Sequence, residues 1–167
     1  ADRASGLAFA CDRGSSSALA EALAGEIRRL SAMGSVQRLI VELRAADALS
    51  PIAAAFSADS GAELADLAEL EAAVVVVDGQ RFFDDYLSKD TLAARGLALE
   101  PSERRRVAQV LAEQIGAADT LVVSWADRAT SGELGFVEDT LRHMNPSASL
   151  RRHSLGDIRS LQWRAAA

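Results

Sequence analysis

Three short hydrophobic runs deliver a polar group to one end. Arg38-Leu39-Ile40-Val41-Glu42-Leu43 carries Glu42, Ala73-Val74-Val75-Val76-Val77-Asp78 ends in Asp78, and Thr120-Leu121-Val122-Val123-Ser124-Trp125 leads into Ser124 and Asp127. In an open α/β sheet, ligands bind outside the carboxyl ends of the strands, so these groups are where function is to be sought. Other chemistry-bearing residues are isolated. Cys11 is the single cysteine, with Asp12 beside it, whereas a structural zinc site wants four ligands and an open one two or three. A small buried or half-buried cysteine is the alternative reading. His143 and His153 have no ligand spacing to Cys11 and read as surface or helix-end residues. The only lysine, Lys89, is followed by Asp and lacks a Gly-rich strand-to-helix context for phosphate.

The elements that position these groups follow from periodicity. Four consecutive valines closed by Asp78-Gly79 suit a strand covered on both faces, as in parallel sheets. Helical patterns alternate with the runs, which predicts a doubly wound α/β domain. Leu19, Leu23, Ile27 and Leu30 recur at helical spacing with Gly34 to stop them. A short helix is expected from Pro51 to Phe56, Leu64, Leu67 and Leu70 suggest another short helix or a packed connection, and Phe82, Phe83, Tyr86 and Leu87 cluster on a further helix. Pro101 is placed to open a helix through Val107, Val110, Leu111 and Ile115, with Arg104, Arg105 and Arg106 on its wet side. Thr130-Ser131-Gly132-Glu133 has capping-box spacing, Leu134, Val137, Leu141 and Met144 form a stripe, and Asn145-Pro146 ends it. Gly6 to Cys11 and Ser149 to His153 are further strand candidates.

Composition bounds the function classes. The 167 residues suffice for one core, and a net charge of -6 argues against a general nucleic-acid binder. Cations number 17 Arg to one Lys, which with the abundant Ala reads as genomic base composition. One cysteine excludes an internal disulfide, and no apolar run approaches the ~20 residues of a membrane span. A cytoplasmic location is expected.

From Leu7 to Ser154 the order of elements resembles the CobW-type P-loop GTPases, relatives of the nickel and urease GTPase chaperones, and especially their actinobacterial members. The resemblance is carried by Val74 to Asp78, Phe82, Asp90-Thr91-Leu92, Arg95-Gly96-Leu97, Val107-Ala108, Leu111, Glu113-Gln114-Ile115, Ala118-Asp119, Leu141, Asn145-Pro146 and Ala148. It implies an α/β, three-layer, mostly parallel sheet with helices on both faces, P-loop NTPase-like but lacking the first phosphate-loop unit, which would lie upstream of residue 1. Residues 1–154 are then an incomplete GTPase-type domain and 155–167 a tail.

The same resemblance implies roles. Glu42-Leu43-Arg44-Ala45 stands at the family's Glu-x-x-Gly, where Glu42 would act catalytically through Mg²⁺-bound water, or remain a strand-end carboxylate paired with Arg44 or Arg38. Ser124-Trp125-Ala126-Asp127 aligns with the guanine-reading Asn-Lys-x-Asp, making Ser124 and Asp127 the nucleotide-binding residues and leaving Trp125 to stack on a base or fill a gap. Cys11 is the remnant of the family's Cys cluster for zinc. GTP and Mg²⁺ are the implied cofactors, and a protein client the implied partner. Two classes remain: a nucleotide-dependent zinc or cobalt chaperone of the GTPase type, or a non-catalytic interaction module contacting a larger assembly such as a ribosome or metalloenzyme client. An uncovered sheet edge at the valine strand would favour a homodimer.

Overall fold

The computed structural model describes residues 16–34, 38–57, 63–98 and 100–154, and they form two compact units divided at Leu70 and Glu71. Each unit is taken by itself. In the first, α1 (Ser16–Ala32), α2 (Leu49–Ala54) and α3 (Leu64–Leu67) follow one another. The α1 stripe is buried as its spacing predicts: Leu23, Ala24 and Ile27 pack with Leu64 of α3, and Leu39, Val41, Phe56 and Leu67 close around them. Pro51 sits in the first turn of α2, where a missing N–H costs nothing. Residues 38–44 are extended, yet they are not a strand. Leu39 and Val41 turn inward and Ile40 is 51% exposed, which is strand alternation, but no ladder partner lies alongside among the described residues.

The second unit carries the sheet. Strands β1 (Val74–Asp78), β2 (Thr120–Ser124) and β3 (Ser149–Arg152) are all parallel in the order β1-β2-β3. Consecutive parallel strands need crossovers, and helices α4 (Phe82–Tyr86), α5 (Val107–Ala117) and α6 (Ser131–Met144) lie in them. Leu121 and Val123 of central β2 are buried with Val75 and Val77 in register beside them, while Val76, on the other face of edge strand β1, is 63% exposed. Asp119 gathers the amino ends of the strands. Its carboxylate accepts the Ala73 N–H at 2.7 Å, its own N–H donates to Ala73 O at 2.8 Å, and its carbonyl accepts the Ser149 N–H at 2.9 Å.

Helix α6 forms as its capping box predicts: Thr130 Oγ1 accepts the Glu133 N–H at 3.3 Å, and the Glu133 carboxylate accepts the Thr130 N–H at 2.8 Å. Helix α5 begins later than Pro101 suggests, at Val107. Arg106 instead forms an antiparallel bridge with Thr91, the Leu92 N–H donates to Arg105 O at 2.9 Å, and Arg105 forks onto Glu103. The bonds to Thr91 and Leu92 keep residues 103–105 out of the helix.

Two carboxylates make the sheet unit sensitive to acid. Glu138 of α6 is 6% exposed and bonded to Arg152 of β3 and Arg142, and the Arg152 guanidinium beside it holds its carboxyl below the ordinary range. Arg105 pulls Glu103 down from 4.5 to about 2. Unfolded, both would bind protons near pH 4.5 while the folded forms resist until lower pH, so their stabilisation is complete above that range and disappears as pH falls through the folded values. Urea midpoints are expected to fall steadily between about pH 5 and pH 2, and Glu138→Gln is expected to flatten part of that slope.

Candidate functional site

The loops at the carboxyl end of the sheet are tied into one rim. After β1, the Asp78 carboxylate accepts the N–H groups of Gln80 and Arg81 at 2.9 and 3.2 Å, fixing the turn that Asp78-Gly79 predicts. The Gly79 N–H donates to Ser124 O at 3.0 Å, and Gln80 Nε2 donates to Arg128 O at 3.3 Å, joining this turn to the loop after β2. That loop is joined in turn to the end of β3, because the Ala126 N–H donates to His153 O at 3.3 Å and the His153 N–H to Val123 O at 2.8 Å. Gly79 is required for steric reasons. A Cβ there would lie 2.9 Å from both Ser124 O and Val123 Cγ1, and backbone cannot yield cheaply. Gly79→Ala is expected to lower stability by about 1–3 kcal/mol, read as a shifted urea midpoint, and to loosen the whole rim.

Within this rim the structure places two of the sequence-derived site residues. Ser124 closes β2 and its hydroxyl donates to Val77 O at 3.1 Å, so it is already engaged across the sheet. Asp127 is exposed in the turn that follows, its carboxylate without a hydrogen-bond or ion-pair partner among the described residues. Between them Trp125 ends the strand for a reason the sequence did not reveal: its φ is +55°, a left-handed conformation that a bulky side chain adopts only under constraint. The indole is 40% exposed, and Arg128 lies over it with its guanidinium carbon 4.2 Å from the ring centroid.

The remaining sequence candidates are taken in turn. Glu42 belongs to the first unit, is exposed, and makes no ion pair among the described residues. Arg44, one of its expected partners, forks instead onto Asp47 at 2.9 Å, with the Arg44 N–H on the same carboxylate at 2.8 Å. Cys11 lies outside the described residues. Among the described residues no three His, Cys, Asp or Glu side chains gather as metal ligands, so the zinc expectation finds no donor set there. Lys89 is exposed in the loop after α4. His143 is exposed in the last turn of α6, as expected, but His153 is half-buried at the end of β3, because the Val123 and Ala126 bonds hold it against the rim.

A cleft of about 350 Å³ opens beside the carboxyl end of β1, lined by Asp78, Arg81, Asp85, Arg95, Leu97 and Val107. Arg95 is its hub, bonded to Asp90 at 2.6 Å and to Asp85 and Ser88 at 3.3 Å each. Through these three bonds its guanidinium ties the loop after α4 together.

The profile of the CobW/HypB/UreG nucleotide-binding domain matches residues 14–152. Zinc-regulated GTPase metalloprotein activator 1 of Dictyostelium discoideum is 24% identical over 135 residues, which is 79% of this chain and 28% of that protein. The chain thus spans less than a third of the length of that relative. No solved structure matches it. Among the described residues no helix is long and apolar enough to cross a membrane.

Proposed function

Because the chain belongs to the CobW/HypB/UreG family of nucleotide-binding domains, we propose that it is a degenerate, cytoplasmic relative of the GTP-dependent zinc or cobalt chaperones. In this reading it holds a purine nucleotide weakly at the Ser124 to Asp127 rim, does not hydrolyse GTP by itself, and acts by contacting a protein client. One observation carries it. The rim keeps a free carboxylate at the position that reads a base, while these 167 residues contain no Gly-rich loop with a lysine for the phosphates. Asp127 would accept hydrogen bonds from the base edge, and Trp125 offers the ring face that Arg128 leaves uncovered. Glu42 keeps the carboxylate that would orient an attacking water or meet Mg²⁺. A zinc role rests on Cys11 alone. The name of the Dictyostelium relative supports a metalloprotein client.

Titration with a fluorescent guanine nucleotide in Mg²⁺ buffer tests this. Binding near millimolar concentrations that Asp127→Ala weakens is expected. Micromolar binding would restore the competent GTPase instead, and binding indifferent to Asp127 would remove the rim from the account. A second reading, a purely non-catalytic interaction module, is favoured by β1. It is a sheet edge among the described residues, and Val76 stands 63% exposed on it. Pairing with a second copy there would give a dimer by light scattering that Val76→Lys dissociates, whereas a stable monomer at high concentration counts against it.

A further inference from the structure

The rim contains a side chain that the nucleotide reading does not use. Asp78 is in register with Ser124, and since Val123 pairs with Arg152, His153 follows next to Ser124. Arg152 reaches α6 through Glu138, and side chains alternate along a strand, so the positions of Asp78, Ser124 and His153 share the side of the sheet opposite to it. His153 is also clamped across the Trp125 turn by its backbone bonds to Val123 and Ala126. Among the described residues its Nε2 is shut off from solvent and has no hydrogen-bond partner. Buried polar atoms are almost always paired, so an orphaned ring nitrogen marks a place where a partner is absent. The second costly feature lies beside it in the strained Trp125 backbone. Strained backbone and unsatisfied polar atoms collect where a protein meets a ligand, and here both fall within one turn.

We propose that His153 is a base-binding residue of this rim, its Nε2 hydrogen-bonding the edge of a purine base that lies on the Trp125 ring. The inference rests on the nucleotide reading above and adds a second contact to the base beside Asp127. Contact with a base requires the ring to turn about Cβ–Cγ, a torsion that is broad in imidazoles. A neutral imidazole nitrogen is a donor in one tautomer and an acceptor in the other. It therefore pairs with the ring carbonyl of guanine or with the amino group of adenine, and a rim with Ser124 engaged on Val77 accepts either purine.

Trp125 supplies the readout once Trp163, the other tryptophan, is replaced by Phe. GMP and AMP are added to the full chain, with ribose 5-phosphate as the probe lacking a base. Both nucleotides are expected to quench Trp125 with similar affinity and ribose 5-phosphate to leave it unchanged. His153→Ala is expected to weaken both about five- to ten-fold, the effect of one hydrogen bond, with partial recovery in His153→Asn. In the unsubstituted protein, long-range ¹H–¹⁵N spectra should show the His153 Nε2 resonance shifting as GMP saturates. Quenching that persists unaltered in His153→Ala, or an Nε2 resonance that does not move at saturation, overturns the role of His153 and leaves the nucleotide reading standing. Absence of quenching by either nucleotide removes both together.

Discussion

Replacing Asn145 by aspartate is expected to be the most damaging polar substitution in the sheet unit, lowering its stability by about 3–5 kcal/mol at neutral pH. Asn145 is 6% exposed and fully employed. Its Nδ2 donates to Ile115 O at 2.7 Å and Ala118 O at 2.9 Å, the carbonyls that end α5, while its Oδ1 accepts the Ser147 hydroxyl at 2.7 Å and the Ala148 N–H at 3.1 Å. One side chain thus closes α5 and sets the turn into β3, while the Asn145 N–H closes α6 on Leu141 O at 2.9 Å. Alanine would take the side-chain partner from two carbonyl oxygens, one N–H and one hydroxyl, at about 2–3 kcal/mol. Aspartate is worse, because it faces a negative charge to two carbonyl oxygens that had received donors. Urea denaturation should rank native above Asn145→Ala above Asn145→Asp, with mild acid recovering part of the loss in the aspartate variant alone. An aspartate variant as stable as the alanine one would refute this account of the cluster.

The second large effect concerns turnover. The chain is expected to release phosphate from GTP no faster than Mg²⁺ buffer does, with Glu42→Gln making no difference. Phosphoryl transfer is catalysed by positioning and by donors aimed at the phosphate oxygens, and losing a single such donor in an enzyme already costs about 10²–10³ in rate. Here the lysine and the Gly-rich loop are both missing from the sequence, so a lone exposed Glu42 has nothing to orient a water against. Base selectivity should weaken with it. Ser124 directs its hydroxyl to Val77 O, leaving Asp127 as the only free carboxylate on the rim loop, and GTP and ATP should bind within about ten-fold of each other. Phosphate release that depends on Glu42, measured with chain purified to homogeneity, would contradict this directly.

The local signals in the sequence carried most of the sheet unit. The valine run, the Asp78-Gly79 turn, the Thr130 capping box and the Asn145 stop all act within a few residues, and all four stand in the structure. The misses are non-local. Residues 38–43 have a strand's alternation without a ladder partner among the described residues, and a ladder cannot be read from one segment. The start of α5 shifted because Arg106 pairs with Thr91 fifteen residues earlier. Nothing in Ser124-Trp125-Ala126 announces a left-handed tryptophan, since neighbouring loops impose it. His153 looked like surface because its burial comes from bonds to Val123 and Ala126. A His directly following a strand beside a motif candidate was the one usable hint.

The loop between α4 and α5 closes on itself at its base. Thr91 bridges Arg106, the Val107 N–H donates to Asp90 O at 3.0 Å, and the Leu92 N–H to Arg105 O, so residues 90–92 and 105–107 are stapled while Glu100 and Pro101 at the far end stand exposed. Such a hoop tolerates being opened at its apex, because the neck rather than the tip keeps the crossover in place. Between Glu100 and Pro101 the chain therefore offers a seam where an epitope tag or a fluorescent domain can be spliced in without unravelling the strands on either side.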